Sequence, residues 1–183
     1  MRRPVLLAVL ATAALAAAGC GNSSYNTQLG QDEGSYLDAG PLTYQVQLSR
    51  YLNPSDVEDA GYLKGLRPGT PAPTGNEEWF AVFMRVQNFG TQTQTPTTDF
   101  SIVDTQHNVY RPLPIDARVN PFSYQPTPLG PGAVLPEPES PAANGTIQGS
   151  LLLFKIKLAS TQNRPLDLHI VAGGQTATVA LDL

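Results

Sequence analysis

Two histidines, one cysteine and a few clusters of acids are the side chains of this 183-residue chain whose types could support chemistry. A nucleophilic triad needs a hydroxyl or thiol beside a histidine that an acid orients. His107 lies in the turn of an expected hairpin, and His169 falls on the polar face of an expected strand beside Asp167. No G-x-S-x-G elbow accompanies either one. Both therefore read as surface histidines. Asp56, Glu58 and Asp59 are close in sequence, but acids suit the first turn of a helix, whose amino end is electropositive. Glu137 and Glu139 sit between prolines as solvated charge. No EF-hand spacing gathers oxygens for a hard cation. The chain reads as non-enzymatic, with no metal and no other cofactor.

The aromatic residues carry a stronger signal. In residues 79–87, Phe80, Val82, Met84 and Val86 face one way, while Trp79, Ala81, Phe83, Arg85 and Gln87 face the other. Apolar residues on both faces indicate a central strand. If the Trp79 face is open, Trp79, Phe83, Phe122 and Tyr124 form a candidate binding surface. The competing and favoured expectation is that a proline-rich segment covers it. Phe122 and Tyr124, flanked by Pro121 and Pro126, would then be the cover itself.

The elements that must position these residues are mainly strands. Leu42, Tyr44, Val46 and Leu48 alternate with polar residues. Asn53 is the expected N-cap of a short helix that Gly61 or Gly65 ends, with Pro54 at its first position. Residues 68–75 and 88–98 are loops by composition. Residues 100–103 and Val109-Tyr110 form the expected hairpin around His107. Residues 112–141 are mostly extended loop, because proline cannot sit in a central ladder. Asn144-Gly145 marks a turn. Leu152, Phe154, Ile156 and Leu158 point inward from the next strand, and Lys155 and Lys157 point outward. Leu166, Leu168 and Ile170, then Gly173-Gly174, then Ala177, Val179, Leu181 and Leu183 complete a final hairpin. About seven strands at this spacing, one short helix and no βαβ rhythm predict an all-β sandwich with a long proline-rich loop. The 17 prolines and 16 glycines suit that class better than a helical one.

At the amino end, Arg2 and Arg3 precede an apolar stretch of about 15 residues that closes on Leu15-Ala16-Ala17-Ala18-Gly19-Cys20, the makings of an export signal. Spanning a bilayer takes about 20 apolar residues, so a retained transmembrane helix is not expected. The run resembles the lipobox of bacterial lipoproteins, with Ala17 where that family more often has Leu. The resemblance implies lipidation at Cys20: its thiol takes a diacylglyceryl group and it becomes an acylated, palmitate-type mature N-terminus. Residues 1–19 would be a signal peptide, residues 20–40 a lipidated flexible tether with a mean reach of roughly 25 Å, and residues 41–183 the domain. Losing Arg2 and Arg3 would leave the mature chain more acidic than its formal net charge of −4. No cluster of Lys and Arg remains, which argues against nucleic acid. Asn144-Gly145-Thr146 matches a glycosylation sequon, but in a bacterial lipoprotein it reads as the turn.

A second resemblance covers residues 42–183. Trp79-Phe-Ala-Val-Phe-Met-Arg-Val-Gln-Asn88, Asp99-Phe-Ser-Ile-Val-Asp-Thr105, Asn108-Val-Tyr110 and Leu129-Gly-Pro-Gly132 ahead of Gly149-Ser-Leu-Leu-Leu-Phe-Lys-Ile156 come in a familiar order. The order resembles the telokin-like, immunoglobulin-like domain of unknown function found in many bacterial lipoproteins. It implies an immunoglobulin-like antiparallel β-sandwich and carries over no catalytic residues. The expected role is a lipid-anchored binding or scaffolding protein of the bacterial cell envelope, on the extracytoplasmic face of the cell membrane, with an envelope protein as partner. The alternative is a lipoprotein that binds a small ligand or cell-wall polymer in a groove near Trp79. An envelope hydrolase ranks last.

Overall fold

Strands dominate the computed structural model, which describes residues 27–182. They are β1 (Leu29–Gly30), β2 (Leu37–Ala39), β3 (Leu42–Leu52), β4 (Glu77–Gln87), β5 (Asp99–Val103), β6 (Val109–Tyr110), β7 (Val134–Leu135), β8 (Ser150–Lys157), β9 (Leu166–Ala172) and β10 (Gln175–Leu181). One sheet has the order β1-β10-β9-β5-β6. In the other, β2-β3-β4 is completed on the far side of β4 by both β7 and β8. The two sheets face each other as a sandwich. Between them lie Tyr44, Phe80, Val82, Met84, Leu152, Phe154 and Ile156 from one sheet and Phe100, Ile102, Leu168, Ile170 and Val179 from the other, all buried. Burial of apolar side chains on this scale is the main drive to fold.

Several elements differ from expectation. Residues 29–39, expected as tether, belong to the sandwich. β1 pairs in parallel with β10 at Thr178 and Val179, and β2 pairs with β3 at residues 42–44. Leu37 and Ala39 are fully buried, so two apolar side chains and a short ladder suffice to order a polar stretch. Glu33 adds a tie. Its carboxylate accepts from the Ser49 N–H at 2.9 Å, from the Ser49 hydroxyl and from the Asp182 N–H at 3.1 Å. Burial raises its pKa and these hydrogen bonds oppose the rise. The expected signal peptide, Cys20 and the expected tether up to residue 26 lie outside the described residues, as does Leu183.

In β3 a bulge between Val46 and Leu48 shifts the register. Leu42, Tyr44 and Val46 point inward as expected, but beyond the extra residue Gln47 the side-chain phase changes. Leu48, opposite Phe83, therefore joins the outer apolar cluster instead of the inner one. The described residues hold two short helices, α1 (Val57–Tyr62) and α2 (Pro141–Asn144), not one. Asp56, not Asn53, caps α1, accepting from Glu58 N and Asp59 N. Asn53 instead accepts from Ser55 N in a local turn at 3.0 Å. Gly61 lies within α1, and the chain leaves it before Gly65, whose φ of 78° is left-handed. β8 stops at Lys157. Leu158, expected to point inward, begins a 3-10 turn and is half-buried. The Asn144-Gly145 turn is the end of α2.

Candidate functional site

The outer face of the β3–β4–β8 sheet is apolar at one end and polar at the other. At the apolar end a second cluster gathers Leu52, Trp79, Ala81, Phe83, Leu151 and Leu153 beneath Tyr62 of α1 and Ile147. Leu66, Leu113, Ile115 and Phe122 pack over it. Trp79 is 6% exposed and Phe83 not at all, so the proposed aromatic surface is closed in this structure. An exposed apolar strip here would be unfavourable in water, and α1 together with the proline-rich segment removes it.

The four aromatic candidates do not act as one group. Phe122 reaches the outer cluster, where Tyr62 stands 5.0 Å from both Phe83 and Phe122, edge to face with each. Tyr124, two residues on and alternating as an extended chain must, points the other way. It packs 5.2 Å from Phe100 at the border of the inner core, and its hydroxyl donates to the Thr97 carbonyl at 2.9 Å. Burial raises the pKa of that hydroxyl. Tyr124 therefore closes the sandwich and is not part of the cover over Trp79.

Backbone pairing holds the segment in place. Tyr124 N donates to Leu151 O at 2.9 Å, Leu151 N to Phe122 O at 2.7 Å and Leu113 N to Leu153 O at 2.7 Å. These bonds also occupy the edge of β8, which would otherwise invite pairing with another chain. The fully buried Asn120 is the keystone. Its amide donates to Tyr62 O at 2.8 Å and Lys64 O at 3.0 Å, and its carbonyl oxygen accepts from Phe122 N at 3.0 Å. We expect the amides of Phe122 and Tyr124 to exchange with solvent far more slowly than those of the exposed Glu137 and Glu139. Hydrogen exchange read residue by residue checks this, and uniformly fast exchange across residues 112–141 would contradict the packing.

Trp79 meets solvent only at its edge, in a cavity of about 550 Å3 shared with Arg50, Asn53, Asp59, Pro73 and Glu78. Asp59 is buried and takes Arg50 Nη2 on both carboxylate oxygens, at 2.6 and 2.7 Å, and Asn53 N at 2.8 Å. This acid is thus committed to fixing the turn before α1. Asp56 caps the helix, and Glu58 accepts from the Tyr62 hydroxyl at 3.2 Å. Burial, then Glu58, pushes the Tyr62 hydroxyl up to about 12. The three acids point to different tasks. Among the described residues no group of three His, Cys, Asp or Glu side chains is placed to hold a metal ion.

His107 is exposed, with a φ of 62°, and its N–H donates to the Asp104 carbonyl at 2.9 Å. An acid and a hydroxyl do lie nearby. Ser160 Oγ donates to Asp104 Oδ2 at 2.6 Å and sits 2.6 Å from the Tyr110 hydroxyl. Ser160 is fully buried, however, and Asp104 spends its other acceptor sites on Gln106 N, Asn108 N and the Asn108 amide. Burial alone would raise the Asp104 pKa, but these hydrogen bonds outweigh it and hold the carboxyl at about 2. The cluster fastens the β5–β6 turn to the 3-10 turn and presents no hydroxyl to a substrate. His169, half-buried, pairs across the sheet with Ser101 and Thr178 on the outer face of β9.

Sequence reasoning missed the Arg50–Asp59 pair, the role of Asn120, and the groove around Arg85 at the polar end of the same face. The role of Asn120 gives no local signal, because the two carbonyls its amide donates to are 58 and 56 residues away.

No protein-family model matches this chain, and no curated relative matches it. Solved structures do. The yjhA protein from Bacillus subtilis is similar at 10% identity over 83% of this chain and 99% of that one, with a TM-score of 0.49. An uncharacterized beta-sandwich protein from Clostridium difficile is 7% identical over 84% of this chain and 95% of that one, with a TM-score of 0.43. A conserved hypothetical protein from Bacillus anthracis is 11% identical over 81% and 94%, with a TM-score of 0.44.

Proposed function

We propose that this chain is a lipid-anchored, non-enzymatic binding or scaffolding domain of the bacterial cell envelope, built on a telokin-like, immunoglobulin-like sandwich. The observation that carries this reading is the lipobox-like run ending at Cys20, so close to the start of the folded part. Two acyl chains, at about 0.8 kcal/mol per buried methylene, give stable anchoring where one does not. The seven residue-to-residue steps from Cys20 to Thr27 span at most about 25 Å even when fully extended. A domain that begins near Leu29 is therefore held close to the head groups, and its partners must be near the membrane too. No helix among the described residues is long and apolar enough to cross a membrane; the anchor on Cys20 is the attachment this reading proposes.

Cys20→Ser is expected to release the protein into the soluble fraction. Membrane fractionation checks this, and a Cys20→Ser protein with its signal removed that still sediments with membranes would overturn the anchor. Crosslinking in intact cells followed by pull-down through this protein then reads the partner. The second reading, a lipoprotein that binds a small ligand or cell-wall polymer, is favoured by the cavity at the edge of Trp79. Recovery of glycan or peptide polymer instead of protein would make it the leading one.

A further inference from the structure

β4 changes partners along its length. From Glu77 to Met84 it pairs with β8, whose first residue, Ser150, is opposite Met84. At Val86 and Gln87 it pairs with β7, whose Leu135 is opposite Val86. Arg85 is the one residue between the two partners. The chain must leave β8 sharply there. Gly149 makes that possible with a φ of 125° and an approach so close that a Cβ would stand 2.9 Å from the Phe83 carbonyl carbon. On the other side of β4, Gln47 of β3 stands on the same outer face, and the bulge there leaves it without a partner residue in the β3–β4 register. The result is a cavity of about 310 Å3, lined by Arg85, Gln47, Gln148, Val134, Pro136 and Pro138.

Among the described residues the charge in this cavity has no counter-charge. Three cationic side chains among the described residues are half-buried: Arg50, Lys155 and Arg85. Arg50 pairs with Asp59 at 2.6 Å and Lys155 with Glu77 at 3.5 Å. Arg85 has no ion pair among the described residues. Its one hydrogen bond is Nη2 to Gln87 Oε1, stretched to 3.5 Å. Drawing a guanidinium partly out of water is costly unless an anion or several acceptors replace the water. Glu137 and Glu139 belong to the loop that carries Pro136 and Pro138, but both are exposed and neither reaches Arg85.

We propose that this cavity binds the carboxylate of a small peptide-like molecule. The planar fork of Arg85 matches a carboxylate in two parallel hydrogen bonds. Gln47 donates one amide N–H to Gln45 Oε1 at 2.6 Å and keeps the other, with its carbonyl oxygen, for an adjacent peptide group; Gln148 adds a second amide, and Val134, Pro136 and Pro138 form an apolar wall for a short side chain. A single cation in an acidic protein suits a monoanion. A phosphate group would require more donors and more positive charge than this site holds. The volume accommodates about one or two amino-acid residues. This inference does not depend on the lipid anchor: an anchored protein can lack the site, and a site can exist on a protein that is not anchored.

The test is a titration of the full chain in detergent micelles with N-acetyl-Ala-Ala carboxylate, followed through the backbone amide signals of Val134, Gln148 and Gly149. Saturable shifts at these three residues are expected, together with at least tenfold weaker binding of the matching C-terminal amide. That comparison uses the unaltered protein and needs no variant to fold. Arg85→Gln should likewise weaken binding of the acid about tenfold or more while leaving the amide unchanged. Equal response to acid and amide, or no saturable shift at these residues, would overturn the proposal, as would undiminished binding by a folded Arg85→Gln protein.

Discussion

Phe154→Ala is expected to lower stability by about 3–5 kcal/mol, the range for truncating a fully buried aromatic side chain. Phe154 is at 0% exposure, lies opposite Phe80 across the β4–β8 ladder and sits in the inner core, where strands of both sheets surround it. Close packing on both sides leaves the surroundings little freedom to collapse into the space, so both the transfer loss and the cavity count in full. His169→Ala supplies the contrast. Its half-buried ring is on the outer face of β9, and its removal should change stability by no more than about 0.5 kcal/mol. Urea melts of residues 21–183 measure both. A chain begun at Pro41 would lack β1, β2 and the Glu33 tie, and would confuse the comparison. A large loss at His169 with a small one at Phe154 would reverse the faces of the two sheets.

Asn120→Ala is expected to cost about 2–4 kcal/mol, although alanine removes little apolar contact. The change strands the carbonyls of Tyr62 and Lys64 and the N–H of Phe122, all at the point where α1 and the proline-rich segment meet. Leaving buried polar groups without partners is more expensive than the net worth of the hydrogen bonds themselves. A second signal accompanies the loss. Trp79 is the only tryptophan, and it lies in the cluster that Tyr62 and Phe122 help to cover. Loosening that cover should move its fluorescence to longer wavelength well before the inner core melts. Asn144→Ala at the exposed end of α2 is the control and should leave the emission unchanged. A loss under about 0.5 kcal/mol with unchanged emission at Asn120 would show that apolar contacts alone hold the segment.

What the sequence determined by itself was the course of the long strands and the inner core. Alternation in β4, β8, β9 and β10 assigns Phe80, Val82, Leu152, Phe154, Leu168 and Val179 to one side, because side chains of a strand must alternate and the polar residues Arg85, Gln87, Lys155, Lys157, Asp167 and His169 mark the other. Those residues needed no knowledge of their partners. The outer face of the β4 sheet was different. The sequence showed that Trp79 and Phe83 needed burial and pointed to Phe122 as part of the cover, but not to Tyr62 or Ile147, which come from separate stretches brought together with it only by folding. A single inserted residue, Gln47, sent Leu48 to that outer cluster, and a bulge has no signature in the hydrophobic pattern short of the strand pairing itself. β1 and β2 escaped detection for a related reason. They are two and three residues long, and their order comes from pairing with β10 and β3 rather than from their own composition. The Arg85 cavity likewise exists only because β4 exchanges β8 for β7 beside it, a meeting of segments that are distant in sequence and adjacent only in the folded chain.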